Sequence, residues 1–166
     1  MKKKLAVMAL AAATLSMMAM PVYADAQVGH ESDWRTANTQ NYQDVFSEDA
    51  GYSLDLVDCD NDNAAQLEAV RTFISKDMDY IVIAPIQSAG WDTVLQEAQD
   101  AGIPVIIADR EIEASDDLYD AWVGTNTTNE GITAGNWLAE YLGDKDANIL
   151  VIEGSVGASA ALGRTE

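Results

Sequence analysis

The stretch YIVIAPIQSAGWDTVLQEAQDAGIPVIIADR, residues 80–110, decides the fold. It holds two short apolar runs, Tyr80–Ala84 and Pro104–Ala108, and between them a segment with apolar residues at helical spacing from near Trp91 to Gly102. A nearly continuous apolar run is typical of a strand that is covered on both faces, as in a parallel sheet. The stretch therefore predicts a strand, a crossover helix and a second, parallel strand.

The same alternation of apolar runs and amphipathic segments continues on both sides of this unit. Alternating strands and helices favour an α/β fold, here a doubly wound, Rossmann-like parallel sheet with helices on both faces. Ligands of such sheets bind beyond the carboxyl ends of the strands, so the residues that follow each strand are the candidates for function. The further predicted helices are residues 32–51, 64–76 and 130–142, and the further predicted strands are residues 52–59, 121–123 and 149–152.

The N-terminal segment has the pattern of a secretory signal peptide. Lys2–Lys4 are followed by an apolar run over residues 5–20, and a small-residue cleavage point follows Ala24. No cysteine follows the apolar run, so the site for a lipid anchor is missing from the pattern. We therefore predict that residues 1–26 are a signal peptide and that the mature protein is periplasmic and diffuses freely.

The composition is strongly acidic, with 28 Asp and Glu residues against 9 Lys and Arg residues. Cleavage after Ala24 would remove three of the basic residues and none of the acidic ones. Nucleic acid is not an expected partner, because binding it needs a basic surface that displaces counterions. The single cysteine, Cys59, excludes an intrachain disulfide and a cysteine-rich metal site, and it predicts a small buried residue at the end of a strand.

One segment has a partial metal-binding pattern. Asp58, Asp60 and Asp62 alternate like the first ligands of a calcium loop, but Asn63 and Ala69 occupy the positions that need Gly and Glu. We therefore predict no metal site there, and we assign the segment to capping the second helix.

Catalytic patterns are equally weak. His30 is the only histidine, and the sequence has neither a nucleophile elbow nor a zinc-protease motif. Carboxylates are abundant, but no pair is marked out as the two acids of a glycosidase. We expect no catalytic residue and no cofactor, so a binding protein is favoured, and a secreted enzyme that acts on carbohydrate is the alternative.

Asp109 and Arg110 directly follow a predicted strand, which places a carboxylate and a guanidinium group together at the mouth of the crevice. Each of these groups can bind two neighbouring hydroxyl groups of a sugar. A local ion pair that only fixes the loop is equally consistent with the spacing. The residues alone leave both interpretations open.

A second candidate lies where a loop enters the first predicted helix, at Glu31, Ser32, Asp33, Trp34 and Arg35. An aromatic ring there can face the C–H side of a sugar ring, while Arg35 and the acids supply polar contacts. The alternative is structural, with Ser32 as the helix cap and Trp34 as a hydrophobic anchor. Composition alone favours the structural interpretation.

Five segments carry a resemblance to a known family. They are residues 27–35 (QVGHESDWR), 80–85 (YIVIAP), 90–98 (GWDTVLQEA), 101–110 (AGIPVIIADR) and 154–164 (GSVGASAALGR). Together they resemble the ribose/galactose-type sugar-binding proteins of ABC transporters, which are type I periplasmic binding proteins. Within that family the galactofuranose-binding members are the most similar.

The resemblance implies a monomeric, two-lobed receptor that closes on one monosaccharide, galactofuranose or a related sugar, and delivers it to an ABC permease in the inner membrane. It implies ligand contacts from the loop Glu31–Arg35, from Asp109 and Arg110, and from Arg164. It therefore favours the functional interpretation of both motifs. A sugar-sensing receptor or regulator of the same fold is an alternative, although the signal-like segment argues against a transcriptional regulator.

The same comparison shows two departures from the family. The family has a strand just before the QVG segment, whereas here the predicted signal peptide leads almost directly into it, so we expect the first strand to be short or missing. We expect residues 27–122 to supply most of the N-terminal sugar-binding lobe, and residues 123–166 to be the beginning of a truncated second lobe. Closure needs contacts from two complete lobes, so a protein of these residues is expected to bind sugar weakly or not at all.

Overall fold

The fold is an open parallel sheet with helices on both faces, in a computed structural model that describes residues 21–30 and 32–166. The strands are β1 (Val22–Gln27), β2 (Ser53–Asp58), β3 (Tyr80–Ile83), β4 (Val105–Asp109) and β5 (Ala121–Gly124), and the helices are α1 (Asp33–Val45), α2 (Asn63–Ser75), α3 (Asp92–Asp100), α4 (Thr127–Leu142) and α5 (Ser159–Thr165). The five strands lie in the order β2-β1-β3-β4-β5, and every neighbouring pair is parallel. The predicted α/β fold class is confirmed.

Strand β1 corrects the expectation that the first strand is short or missing. It has six residues and lies between β2 and β3, so it is an interior strand of the sheet. Ala24 and Ala26 are fully buried on the face that α2 covers, where small side chains let the helix lie close to the sheet.

This strand also conflicts with the predicted end of the signal peptide at residue 26. Cleavage after Ala24 would remove Val22, Tyr23 and Ala24, which pair with Ser53, Leu54 and Asp55 of β2. The proposed basic and apolar parts of the signal peptide, residues 1–20, lie outside the described residues.

The apolar core lies between the sheet and the helices α2 and α3. Phe73 of α2 and Trp91, just before α3, are fully buried there together with Ile81, Ile83 and Ile107 of β3 and β4. The predicted buried face of α3 is confirmed, since its buried residues are Val94, Leu95 and Ala98. This core fixes the positions of the strand ends that form the candidate site.

The opposite face of the sheet, which α1 covers, has a polar interior. Helix α1 buries Arg35 and Thr39, and β1 presents Asp25 and Gln27 to it. Side chains alternate along a strand, so Asp25 and Gln27 point away from the face that holds Ala24 and Ala26. Burial of polar groups is costly without partners. Asp25 Oδ2 accepts from Gln27, and Arg35 donates to Asp109 at the end of β4, whereas Asp25 Oδ1, Gln27 Oε1 and Thr39 Oγ1 have no hydrogen-bond partner in the described part of the chain.

The acidic segment after β2 caps a helix, as predicted. Asp62 Oδ1 accepts hydrogen bonds from the backbone N–H groups of Ala64 and Ala65, at 2.8 Å and 3.1 Å. Cys59 is a free, buried thiol directly after β2, which confirms that prediction as well. Within residues 21–30 and 32–166, no group of three or more His, Cys, Asp or Glu side chains could hold a metal ion.

The predicted strand at residues 149–152 is wrong. These four residues are in irregular backbone and all are exposed. A strand needs a neighbour for its backbone N–H and C=O groups, and no strand of the described sheet lies beside this segment. The apolar side chains Ile132, Trp137 and Tyr141 of α4 are exposed too.

Among the helices of the described residues, none combines the length and the apolar character that a membrane span requires.

Candidate functional site

The carboxyl ends of the strands and the loops that follow them meet along one rim of the sheet, as predicted for ligand contacts. The loop after β3 contacts the segment before α5, where the Ser88 N–H donates to the Gly157 carbonyl at 2.8 Å. The Ser88 hydroxyl also donates to Glu113 Oε1 at 2.9 Å, in the loop after β4. These contacts hold the loops after β3 and β4 and the segment before α5 side by side.

A buried ion pair joins the first helix to the end of β4. Arg35 is 2% exposed, and its Nη2 donates to Asp109 Oδ2 at 2.5 Å. The Asp109 side chain is 28% exposed, so the carboxylate reaches the rim while the guanidinium group lies beneath it. Two motifs that are 74 residues apart in sequence therefore converge on one carboxylate.

Asp109 has a left-handed backbone conformation, with a φ of +67°. This conformation is costly for most L-residues, and Asp and Asn are among those that tolerate it best. Such positions cluster at ligand sites when the surrounding structure fixes them. The residue that packs against the Asp109 backbone is Gly124, which pairs with Asp109 across the β4–β5 ladder. A Cβ atom on Gly124 would lie 2.1 Å from the Asp109 carbonyl oxygen.

We expect Gly124→Ala to lower the free energy of unfolding by about 2 kcal/mol, because the Asp109 backbone must move to make room for the methyl group. Urea denaturation measures this change. The control is Gly135→Ala in α4, where nothing lies within 4 Å of the added Cβ. That variant should gain about 0.5–1 kcal/mol from helix propensity. Equal stabilities of the two variants would contradict the steric argument.

Arg110 lies beside Asp109, but the pair between them is loose. Arg110 Nε is 3.8 Å from Asp109 Oδ2, which is much longer than the pair that Arg35 makes. Arg110 Nη1 donates to the carbonyl oxygens of Pro85 and Ile86, at 3.4 Å and 3.5 Å. The guanidinium group is thus held between the loops that follow β3 and β4.

The loop before α1 shows one part of the structural interpretation, the helix cap, and contradicts the other part, the hydrophobic anchor. Ser32 caps α1, since its Oγ accepts from the backbone N–H of Arg35 at 3.2 Å. Trp34 is not a hydrophobic anchor, because it is 55% exposed, and the Arg35 guanidinium carbon lies 4.8 Å from its ring centroid. Asp33 is exposed in the first turn of α1. Glu31 lies outside the described residues.

Arg164 is placed apart from this cluster. It lies in α5 and pairs with Glu130 of α4, with the Arg164 Nε and the Arg164 Nη2 both 2.8 Å from Glu130 Oε2. This hydrogen bond is the main reason why the pKa of Glu130 is below its usual value. The role of Arg164 as a ligand contact remains a prediction.

An open groove of about 390 Å³ adjoins the ion pair. Helix α1 forms one wall with Trp34, Asn38 and Tyr42, and the other side includes Asp109 and residues 123–125. Its volume lies in the range of small-molecule sites. Trp34 and Asp109, from the two predicted motifs, therefore line one cavity.

No sequence motif marks the polar residues behind this groove as candidates for function. Asp25 is 1% exposed, and its Oδ2 accepts from Gln27 Nε2 at 2.6 Å. Burial raises the pKa of Asp25 to about 7, while the hydrogen bond from Gln27 and the charge of Arg35 act in the opposite direction. Burial likewise raises the pKa of Tyr42 above its usual range. Asp25 was not predicted as a functional residue because it lies in a segment that resembles a signal-peptide cleavage region.

Residues 28–166 match the family described as periplasmic binding protein domain. The chain belongs to this family. This periplasmic binding protein is 40% identical to the galactofuranose-binding protein YtfQ of Escherichia coli K12, over 98% of the chain and 52% of the relative. The chain therefore spans about half the length of that relative.

Solved structures of this type resemble the chain in fold and sequence. A Mycobacterium smegmatis protein in complex with β-D-fucofuranose superposes with a TM-score of 0.82 at 38% identity, over 87% of the chain and 48% of that protein. The binding protein of an arabinose ABC transporter from Shewanella sp. ANA-3, bound to α- and β-L-arabinofuranose, superposes with a TM-score of 0.78 at 36% identity. That match covers 87% of the chain and 47% of the Shewanella protein.

Proposed function

We propose that this chain is the sugar-binding protein of an ABC transporter, and that it binds a monosaccharide of the galactofuranose type at the rim of its sheet. The observation that carries the proposal is the convergence of an exposed Trp34 ring, the Asp109 carboxylate and the Arg110 guanidinium group at the carboxyl ends of the strands. An aromatic face with charged hydrogen-bonding groups beside it is suited to a ring that has one C–H face and an edge of hydroxyl groups.

In this proposal the three side chains have separate roles. Trp34 stacks on the C–H face of the sugar, and Asp109 accepts hydrogen bonds from two neighbouring hydroxyl groups. Arg35 holds the Asp109 carboxylate from beneath, so the acceptor is fixed before the sugar arrives and loses little entropy on binding. Arg110 donates to a further hydroxyl group or to the ring oxygen. Glu31, Ser32 and Asp33 contact the sugar from the same loop, and Arg164 contacts it from the second segment.

The five-membered ring form is proposed because three similar proteins are linked to furanose sugars. The E. coli relative is named for galactofuranose, and the two solved structures contain fucofuranose and arabinofuranose. The protein is proposed to act in the periplasm as a monomer, to bind its sugar without chemical change, and to deliver it to a permease in the inner membrane.

The test is titration with ¹³C-labelled D-galactose, followed by NMR, because the furanose and pyranose forms have separate signals. We expect the furanose signals to broaden selectively. A protein of these 166 residues should bind with a dissociation constant of roughly a millimolar or weaker. A chimera that continues with the rest of the E. coli relative should bind roughly a thousandfold more tightly. Selective binding of the pyranose, or no binding by the chimera, would contradict the proposal.

Asp109→Asn in the chimera tests whether sugar binding depends on the Asp109 carboxylate. Asparagine keeps the shape and tolerates the left-handed backbone, but it loses the charge that pairs with Arg35 and one acceptor oxygen. We expect sugar affinity to fall by about a hundredfold, which corresponds to losing a hydrogen-bonded charge that contacts the ligand. The control is Asp55→Asn, which removes a partly exposed carboxylate of β2 that pairs with Lys76. Equal affinity of both variants would contradict the role of Asp109.

A further inference from the structure

The groove beside the ion pair extends along α1, away from the rim of the sheet. Helix α1 follows β1, so it begins at the rim and runs back across the sheet. Trp34, Asn38 and Tyr42 all line the groove and are four residues apart in sequence. They therefore lie in one row on the helix, about 6 Å from each other along its axis. Asn38 is one turn deeper in the groove than Trp34.

The wall that faces this row is mainly apolar. It includes Val82 of β3, Ile106 and Ala108 of β4, and Val123 of β5. Side chains alternate along a strand, so these residues lie on the face of the sheet that α1 covers and not on the face that α2 and α3 cover. A polar group in a mainly apolar cavity fixes the orientation of a ligand, and Asn38 has that position here.

The orientation of the Asn38 amide is set from the core. Gln27 is fully buried, and its Nε2 donates both to Asp25 Oδ2 at 2.6 Å and to Asn38 Oδ1 at 3.2 Å. Asn38 therefore presents its oxygen to Gln27, and its two Nδ2–H donors are on the other side of the amide. Within the part of the chain that the structure describes, no residue accepts a hydrogen bond from Asn38 Nδ2. The groove thus contains a donor group that a ligand can use.

Sugars of the proposed class differ in the arm that leaves the five-membered ring. In galactofuranose this arm has two carbon atoms, and each carries a hydroxyl group. In fucofuranose the terminal hydroxyl group is replaced by hydrogen, and in arabinofuranose the terminal carbon atom is missing as well. A site that distinguishes these sugars needs a polar group at the end of the arm and apolar contacts along it.

We infer that Asn38 is the specificity-determining residue for this arm: its Nδ2–H groups donate to the terminal hydroxyl group of a hexofuranose whose ring lies between Trp34 and Asp109. The inference rests on the proposed function, because it names the part of the sugar that the same site distinguishes. The carbon atoms of the arm pack against Tyr42 and the apolar wall. A sugar that lacks the terminal hydroxyl group leaves the Asn38 donors shielded from water without a partner, which lowers its affinity.

The test measures the coupling between Asn38 and this hydroxyl group by NMR titration, in the 166-residue chain and in the chimera proposed above. The probes are methyl β-D-galactofuranoside and methyl β-D-fucofuranoside, whose rings cannot open and which differ only in the terminal hydroxyl group. We expect the wild type to bind the galactofuranoside about fivefold more tightly. Asn38→Ala should lose about fivefold in affinity for the galactofuranoside but less than about twofold for the fucofuranoside. The side-chain ¹⁵N signal of Asn38 should shift with the galactofuranoside only.

The matched control is Asn41→Ala, which makes the same change at an exposed position of α1 and should keep both wild-type affinities. Equal losses of affinity for the two sugars in Asn38→Ala would overturn the inference, because Asn38 would then support the site without contacting the arm. A wild type that binds both furanosides equally would also overturn it and would leave the proposed function intact. If neither furanoside binds to the chain or to the chimera, the proposed function fails and the inference fails with it.

Discussion

Arg35→Met is expected to lower the free energy of unfolding by about 3 kcal/mol, the lower end of the cost of breaking a buried ion pair. The substitution keeps a long side chain in the same space but leaves the Asp109 carboxylate without its 2.5 Å partner. It also removes the positive charge that acts on Asp25, so the pKa of Asp25 should rise further. The Asp109 side chain is 28% exposed, and its access to water keeps the cost from being larger. Urea denaturation measures the change.

The matched control is Arg71→Met in α2. Arg71 also makes an ion pair with a carboxylate, Glu97 Oε2 at 2.9 Å, but both side chains are 41% exposed. Exposed pairs contribute little because water and salt screen them, so this variant should lose less than about 1 kcal/mol. If both variants lose the same small amount of unfolding free energy, Arg35 does not hold Asp109 in solution. The proposal that Arg35 fixes the Asp109 carboxylate before the sugar binds would then fail.

The order of strands and helices could be predicted from the sequence because each element has a local pattern. The apolar runs of β3 and β4 and the helical spacing between them appear in one stretch of chain, and the glycines and caps mark where the helices end. The family resemblance was equally local, since each motif is a continuous segment. Both predictions are confirmed, the fold by the sheet topology and the family by the match over residues 28–166.

What could not be predicted depends on contacts between distant residues or on the absence of a neighbour. The apolar run at residues 149–152 has a strand pattern, but a strand forms only where another strand satisfies its backbone groups. Conversely, Val22–Gln27 resembles a cleavage region, and its pairing with β2 and β3 makes it an interior strand. The partner of Arg35 is 74 residues away, so no spacing rule could choose between Asp109 and the other acids of this chain.

Gln66 shows how the core and the site depend on one another, since it ties the ends of two strands together. It is fully buried in α2, and its Nε2 donates to the carbonyl oxygens of Ala26 and Ala84, at 2.9 Å and 2.7 Å. Its Oε1 accepts from the backbone N–H of Ile86 at 2.9 Å. The Gln66 side chain therefore adds a second donor to the Ala26 carbonyl, which also accepts from the Ala84 N–H at 3.3 Å, and it supplies partners for the Ala84 carbonyl and the Ile86 N–H beyond the end of β3.

We expect Gln66→Leu to lower the free energy of unfolding by about 4 kcal/mol. Leucine fits the space, but the Ala84 carbonyl and the Ile86 N–H are left buried without their partner, and each such group costs about 1–3 kcal/mol. The same change at Gln96 is the control, because that side chain is exposed on α3 and bonds only to Gln99 and Asp100. Gln96→Leu should change stability by less than about 0.5 kcal/mol.

The effect of Gln66→Leu should also reach the rim. The carbonyl oxygen of Ile86 lies 3.5 Å from Arg110 Nη1, so a loop released from Gln66 no longer holds that guanidinium group beside Asp109. In the chimera proposed above, sugar affinity should fall together with stability, whereas Gln96→Leu should leave both unchanged. A Gln66→Leu variant that is less stable but binds sugar as tightly as the wild type would show that Arg110 does not depend on this loop. Wild-type stability in the same variant would show that water takes over the hydrogen bonds of Gln66.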